Sequence, residues 1–391
     1  MGKFNILHTS DWHIGVNVHD IDRLPQQREM LAQLSDIIDE RHIDALIVSG
    51  DLYDIARPSA MAERMLNDGL VALHHRFPTL RMVITAGNHD SMSGHETFRT
   101  PWQLLGVDMI GRYTVGREDD LIVEIPGKGF IVAVPYINER NLPEGLYQQL
   151  LDMVSERNTE QLPVVLMAHT AVHGCQYSGH ANATENTIGG IDSVDIASFG
   201  SGYDYLALGH IHQPHTLSGG SATARYSGSP VAVSFDEDYA HTVSIVSLES
   251  RGGKVDVEEV DINTSWPLVT IPSSGKFEDF ETVLQKLTDF PADAEAYIRL
   301  NVEIDDFLPP SAMDSARQAA EGKACKVVYI NSRRKGRRSA EEDTPDGFTI
   351  AEFKTLAPID LAARYADENG IDFSDELRQM FTEASQYTPH S

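Results

Sequence analysis

Five short apolar runs in this chain each lead directly into residues that can bind a metal ion. Ile6-Leu7 runs through His8-Thr9-Ser10 to Asp11-Trp12-His13. Ala45-Leu46-Ile47-Val48 leads to Gly50-Asp51, with Asp54 three residues on. Met82-Val83-Ile84 leads to Gly87-Asn88-His89-Asp90. Val164-Val165-Leu166-Met167 leads to His169, and Tyr205-Leu206-Ala207-Leu208 leads to Gly209-His210-Ile211-His212. Apolar runs of this length predict buried strands. Five of them in order, each ended by a donor, predict strands that carry aspartate, asparagine and histidine to one edge of a sheet. Two divalent ions can sit side by side there, and such a pair serves in-line displacement at phosphorus.

The residue types suit that chemistry. Asp11 and His13 alternate at a strand end, so both side chains can point one way. His210 and His212 repeat the arrangement. Asp51 follows Gly50, where a missing side chain lets the backbone turn tightly, and it reads as the bridging carboxylate. Asn88 offers a neutral oxygen, and His169 completes the set. Oxygen and nitrogen donors without cysteine suggest octahedral Mn²⁺, with Mg²⁺, Fe²⁺ and Zn²⁺ also compatible. His89 adjoins Asn88, and adjacent side chains diverge. It therefore reads as a catalytic group facing substrate, giving a proton to the leaving oxygen or stabilising phosphoryl charge. Asp54 reads as the group that fixes the tautomer of His89. Alone, GDxxD, GNHD and HxH are weak signals, and a histidine after a buried strand is usually a satisfied polar residue. Their shared placement and order carry the reading. His8, His42, His74, His75, His95, His180, His215 and His241 have no partner pattern and read as structural or exposed. His173, four residues beyond His169, falls in a loop.

With 391 residues the chain has room for one large domain and one or two small ones. A hydrophobic content of 41% suits a soluble globular protein, and no apolar run approaches a membrane span. Met1-Gly2-Lys3-Phe4 runs straight into a strand, with no signal-peptide plan. Cys175 and Cys325 are the only cysteines and lack CxxC spacing, so a reducing cytoplasm fits. The formal net charge of −28 argues against a general polyanion-binding surface. It leaves room for a local groove, bound metals or a partner subunit to reverse the field where it counts.

Positioning these residues requires an α/β frame over 1–265. Leu24–Arg41 and Ser59–Arg76 have helical spacing, with Ser59 as N-cap, and their apolar stripes read as core. Gly116–Val134 reads as paired strands. Tyr226–Phe235 and His241–Leu248 continue as strands, followed by a turn at Arg251-Gly252-Gly253 and a strand over Lys254–Val260. A boundary falls at Trp266-Pro267. Residues 266–331 then read as a small α+β unit: strand 268–271, helix 277–290, strand 296–304, helix 311–322 and strand 326–330. The basic run Arg333 to Arg338, followed by Glu341-Glu342-Asp343, reads as an exposed linker over 332–347. Residues 348–391 carry amphipathic helix candidates at 358–366 and 374–384. They are too short to bury a core alone, so they must dock on this chain or on a partner.

The ordered set DxH, GDxxD, GNHD, a lone strand-end histidine and GHxH resembles the calcineurin-like metallophosphoesterases. His8 to Gly15, Gly50 to Asp54, Gly228-Ser229-Pro230 and Ser234-Phe235-Asp236-Glu237 resemble the SbcD-type nucleases of bacteria. Those are similar to the nuclease subunits of archaeal and eukaryotic double-strand-break repair complexes. The resemblance implies a four-layer α/β/β/α sandwich with a small α+β DNA-capping domain and a helical C-terminal tail. It implies one metal on Asp11, His13, Asp51 and His212, a second on Asp51, Asn88, His169 and His210, and His89 as the catalytic histidine. It implies Mn²⁺-dependent cleavage of DNA, 3′→5′ on duplex ends and endonucleolytic on single strands or hairpins. It also implies a homodimer and an SbcC-like coiled-coil ATPase bound through the tail. The chain has no GxxxxGK[ST] loop, so the ATPase is a separate subunit. Two other readings remain at this level: a phosphodiesterase for a small nucleotide or diester, and a non-catalytic subunit that tethers an ATPase to DNA.

Overall fold

The computed structural model describes residues 2–335 except 174, 176–192, 219–221 and 274, and beyond them only Ile359, Ser374, Leu377 and Arg378. Residues Met1–Arg333 form one compact unit and Arg334–Ser391 another. Apart from those four residues, the tail helix candidates lie outside the described residues, as do His180 and the basic run from Gly336 onward.

The chain opens with β1 (Phe4–Thr9), a small hairpin of β2 (Asn17–Val18) and β3 (Ile21–Asp22), and α1 (Leu24–Glu40). It continues through β4 (Ala45–Ser49), α2 (Ala60–Arg76), β5 (Arg81–Thr85), α3 (Met92–Gln103) and β6 (Val107–Ile110). Next come β7 (Ile122–Ile125), β8 (Gly129–Ala133), α4 (Leu146–Arg157), β9 (Val164–His169), β10 (Tyr205–Gly209), β11 (His215–Leu217) and β12 (Thr223–Tyr226). Strands β13 (Thr242–Leu248) and β14 (Val255–Asp261) follow. These elements make two six-stranded sheets, ordered β14-β13-β1-β4-β5-β6 and β11-β12-β10-β9-β8-β7. Within each, the central strands run parallel: β1, β4, β5 and β6 in one, β12, β10, β9 and β8 in the other.

Alternation along the strands builds the layers. Ile6, Ala45, Ile47 and Val83 point between the sheets, toward the face that carries Ile131, Val165, Met167 and Ala207. Their neighbours Leu7, Leu46, Val48, Met82 and Ile84 point the other way, onto Met30, Leu34 and Ile38 of α1 and Leu66, Leu70 and Leu73 of α2. Leu146, Leu150 and Val154 of α4 belong to the core of the second sheet. Both helical stripes are therefore core, as expected, except that Met61 is exposed. Ser59 caps α2, its hydroxyl accepting from the Ala62 N–H.

The third sheet gathers β15 (Leu268–Ile271), β16 (Glu278–Asp279), β17 (Tyr297–Ile304) and β18 (Lys326–Arg334), ordered β15-β17-β16 with β18 also on β17. Ile298, Leu300 and Val302 pack on Val283 and Leu287 of α5 (Phe280–Asp289) and on Ala316 of α6 (Ala312–Ala319).

Four local expectations change. The metal-ligand strands do not share one sheet edge: β1, β4 and β5 belong to one sheet and β9 and β10 to the other. The strand expected over Tyr226–Phe235 stops at Tyr226, because Gly228 (φ 77°) and Pro230 turn the chain out of the sheet. The helix expected from Phe277 starts at Phe280, since Asp279 caps it and pairs with β17. The strand expected to end at Ile330 runs to Arg334, so the first arginines of the basic run are sheet residues. Arg333 lies over the Phe277 ring and 3.5 Å from Glu303.

Candidate metal centre

Parallel strands deliver their carboxyl ends to the same side, where open α/β sheets bind ligands. Here two sheets do so together. Gly209 ends β10 so close to β4 that a Cβ on it would lie 1.8 Å from the Ser49 carbonyl oxygen. Gly50 (φ 86°) faces the His169 ring, and a Cβ there would stand 2.1 Å from Nδ1. The missing side chains let the sheet ends close into one seam.

Four donor residues hold left-handed backbone angles: Asp11 (φ 52°), His13 (φ 43°), Asp51 (φ 51°) and His210 (φ 94°). Residues other than glycine rarely adopt such angles, and surrounding structure must impose them. Main-chain bonds do so here: Asp11 N–H donates to the Gly50 carbonyl and His13 N–H to the Asp51 carbonyl, at 3.0 and 3.1 Å. The Asp11 carboxylate accepts from Ser10 Oγ at 2.5 Å and from the His210 N–H at 3.1 Å. That last bond ties the two sheets. Asp51 Oδ1 accepts from the His89 N–H at 2.9 Å.

Three histidines meet partners that only accept. His169 Nδ1 lies 2.8 Å from the Ser49 carbonyl, His89 Nδ1 lies 2.8 Å from the Asp54 carbonyl, and His212 Nδ1 lies 2.7 Å from Glu237 Oε1. Each Nδ1 therefore donates, and Nε2 of His169 and of His212 faces the seam. His13 Nε2 is 3.2 Å from His212 Nε2 and 3.7 Å from Asp51 Oδ2. His169 Nε2 is 3.3 Å from Asp51 Oδ2 and 3.1 Å from Asn88 Oδ1, which also lies 3.1 Å from His210 Nδ1. Neighbouring donors around an octahedral cation with bonds of about 2.1 Å stand about 3 Å apart. Asp11, His13 and His212 place donor atoms within 4.8 Å of one another, as do Asp11, Asp51 and His169, and as do His13, Asp54 and His89. Asp11 thus belongs to two of these groups, and Asp51 reaches both His13 and His169.

The electrostatics fit a cation. Burial works against charge on His13, yet Asp54, Asp51 and Asp11 push its pKa up to about 9. Burial likewise opposes charge on His169, and Asp51 again pushes it up to about 9. Burial would raise the Asp51 carboxyl, but His169, His13 and His89 hold it well below the ordinary carboxylate range. The seam draws in positive charge, and its donors are hard oxygens and imidazoles. Those are the ligands of divalent Mn, Fe, Mg or Zn.

Every residue read from the motifs comes to this seam, with one difference in how Asp54 acts. Its main-chain carbonyl, not its carboxylate, meets the His89 ring, and the carboxylate stands 3.4 Å from His13 Nδ1. His173 is exposed, its N–H donating to the Val194 carbonyl. His8 is buried against Tyr205 Oη and Ser49 Oγ. Two contributors lie inside the quoted motifs, whose reading gives them no role. Asp90 accepts from the N–H groups of Leu52, Tyr53 and Gly87, stapling the β4 and β5 ends together. Glu237 is buried behind His212, 25 residues away in sequence. Asp90 had a signal in its place within GNHD. Glu237 had no spacing signal.

A two-sheet sandwich that gathers Asp, Asn and His donors at its strand ends has the build of a metal-dependent phosphoesterase. The family description "Calcineurin-like phosphoesterase" matches residues 4–214, more than half of the chain. The description "Type 5 capsule protein repressor C-terminal domain" matches residues 266–369. The chain is 30% identical over 335 residues to the SbcD component of the nuclease SbcCD of Bacillus subtilis, covering 81% of this chain and 83% of that one. It is 29% identical to the SbcD component of Rhodobacter capsulatus (69% and 72% covered) and 26% identical to that of Escherichia coli K12 (78% and 79% covered). The chain belongs to the calcineurin-like phosphoesterases and, within them, to the SbcD family of SbcCD nuclease components.

Proposed function

We propose that this chain is the nuclease subunit of an SbcCD-type complex and hydrolyses DNA phosphodiesters with two divalent cations, Mn²⁺ foremost. The observation that carries the reading is the convergence of seven donor side chains on one seam, with His89 at its rim. Asp11, His13, Asp51 and His212 would hold one cation. Asp51, Asn88, His169 and His210 would hold the other. Such a pair, when bound, activates water and neutralises the phosphoryl oxygens. The remaining work falls to the chain's own groups. The Ser49 carbonyl and Glu237 aim the rings of His169 and His212. The Asp54 carbonyl holds His89 with Nε2 directed away from it, to pass a proton to the leaving 3′ oxygen.

Duplex ends, cut 3′→5′, and single strands or hairpins are the substrates in this reading. Residues 1–265 are the nuclease domain, 266–331 cap the DNA, 332–347 link, and 348–391 bind an SbcC-like coiled-coil ATPase. The exposed apolar side chains Ile55, Met92, Phe98 and Leu104 support pairing with a second copy. The expected compartment is the cytoplasm. Among the described residues, no helix is long and apolar enough to cross a membrane.

The test gives the purified chain and Mn²⁺ two kinds of substrate: bis-p-nitrophenyl phosphate, and end-labelled linear duplex or hairpin DNA, with and without the ATPase. Cleavage of both DNAs, stimulated by the ATPase, is expected. Hydrolysis of the small diester alone would assign the centre to small phosphodiesters instead.

A further inference from the structure

The loop from Ser227 to Asp238 leaves β12, passes beneath the metal seam and ends against the third sheet. Two unrelated sets of contacts fix it. On the seam side, Glu237 is fully buried at its carboxylate. Oε1 meets His212 Nδ1 at 2.7 Å, and Oε2 accepts from Ser229 Oγ at 3.2 Å and from the Val233 N–H at 3.1 Å. On the other side, the buried Arg299 of β17 donates to the Phe235 carbonyl at 2.9 Å and pairs with Asp236 at 2.6 Å. Thr270 of β15 donates to that same carbonyl at 3.0 Å. The residues just before Glu237 are therefore gripped by the 266–333 sheet, and Glu237 itself grips a metal-seam histidine.

A buried carboxylate is costly to keep. The shortest contact of this one, 2.7 Å, goes to the His212 ring, and its other oxygen meets Ser229, Val233 and, at 3.9 Å, His241 Nε2. Of the three Nδ1 groups that meet an acceptor at 2.7 or 2.8 Å, that of His212 faces a carboxylate and the other two face main-chain carbonyls. The Asp54 carboxylate stands farther from His13 Nδ1, at 3.4 Å. An anionic acceptor fixes the tautomer more firmly and makes Nε2 more basic.

We infer that Glu237 is a positioning residue for His212, and that the 266–333 sheet holds it in place through Arg299. The cation site containing His212 then depends on a unit that supplies no ligand of its own. This rests on the two-cation reading of the seam, and the test separates the two.

The full chain is titrated with Mn²⁺ while free Mn²⁺ is read by electron paramagnetic resonance, for wild type, Glu237→Gln and Ser229→Ala. Melting of each metal-free protein reports its fold. The isosteric Glu237→Gln is expected to weaken one of two sites about 10- to 100-fold and to leave the other unchanged, with saturation recovered at high Mn²⁺. Ser229→Ala, which removes one anchor of Glu237, shifts the same site by a smaller factor and reads the same property should Glu237→Gln not fold. Two unaltered sites in folded variants, or equal weakening of both, would overturn the inference. A wild-type chain that binds no Mn²⁺ would instead overturn the two-cation reading beneath it.

Discussion

Gly209 shows how sharply single atoms define the seam. A methyl group there would sit 1.8 Å from the Ser49 carbonyl oxygen, so the two sheet ends must part. Gly209→Ala is expected to cost about 1–3 kcal/mol in urea denaturation and to abolish tight Mn²⁺ uptake, read by calorimetry. His8 makes a separate, pH-dependent contribution between the sheets. Burial first, and then Arg225, drive its pKa down to about 3 from 6.5. Between those values the unfolded chain binds the proton and the folded chain does not, so stability rises with pH across the window. Stability is expected to fall as pH drops below 6.5, by at most about 1.4 kcal/mol per unit from this group. Urea midpoints at pH 7 and pH 5 check this, and His8→Asn flattens the difference. At this scale the donors were legible because each follows an apolar run. Glu237 was not, because only folding brings it to His212.

The elements divide along the same line. Strands β4, β5, β9 and β10 are buried on both faces and therefore read as unbroken apolar runs. The amphipathic stripes of α1 and α2 were equally plain. Residues 227–235 carry the same apolar types, Val231, Ala232, Val233 and Phe235, yet form a loop. Their partners are Glu237, Arg299 and the hydrophobic contacts of Val231 and Phe235, none of them visible in local spacing. The extension of β18 to Arg334 was hidden for a similar reason: basic residues suggested solvent, while Glu303 and Phe277 across the sheet hold Arg333. The cap of α2 offers a clean element-scale check. Ser59→Ala leaves the Ala62 N–H without its acceptor and is expected to cost about 1 kcal/mol, measured by urea denaturation, with Mn²⁺ affinity unchanged. A change in affinity would mean that α2 communicates with the seam.

Across the whole molecule, a net charge of −28 surrounds a centre that attracts cations. Removing divalent metal should leave His13, His169 and the carboxylates to share protons, and adding it should stabilise the fold by mass action. At 100 times the dissociation constant a single site contributes about 2.7 kcal/mol. The melting temperature of the wild type is therefore expected to rise with Mn²⁺ and return with chelator, whereas that of Asp51→Asn should barely respond. The same charge predicts weak DNA binding by the chain alone with a shallow salt dependence, since a repelling surface leaves only the local seam to meet phosphate. Gel shifts across a salt series, with and without the ATPase, measure that. The two-cation nuclease is tested most directly by the rate of Mn²⁺-dependent cleavage of end-labelled duplex DNA by wild type, Asp51→Asn and His89→Ala. Cleavage is expected from wild type, none from Asp51→Asn, and a loss of about 10²- to 10⁴-fold in His89→Ala with Mn²⁺ uptake intact. Equal rates in all three proteins would contradict the two-cation reading.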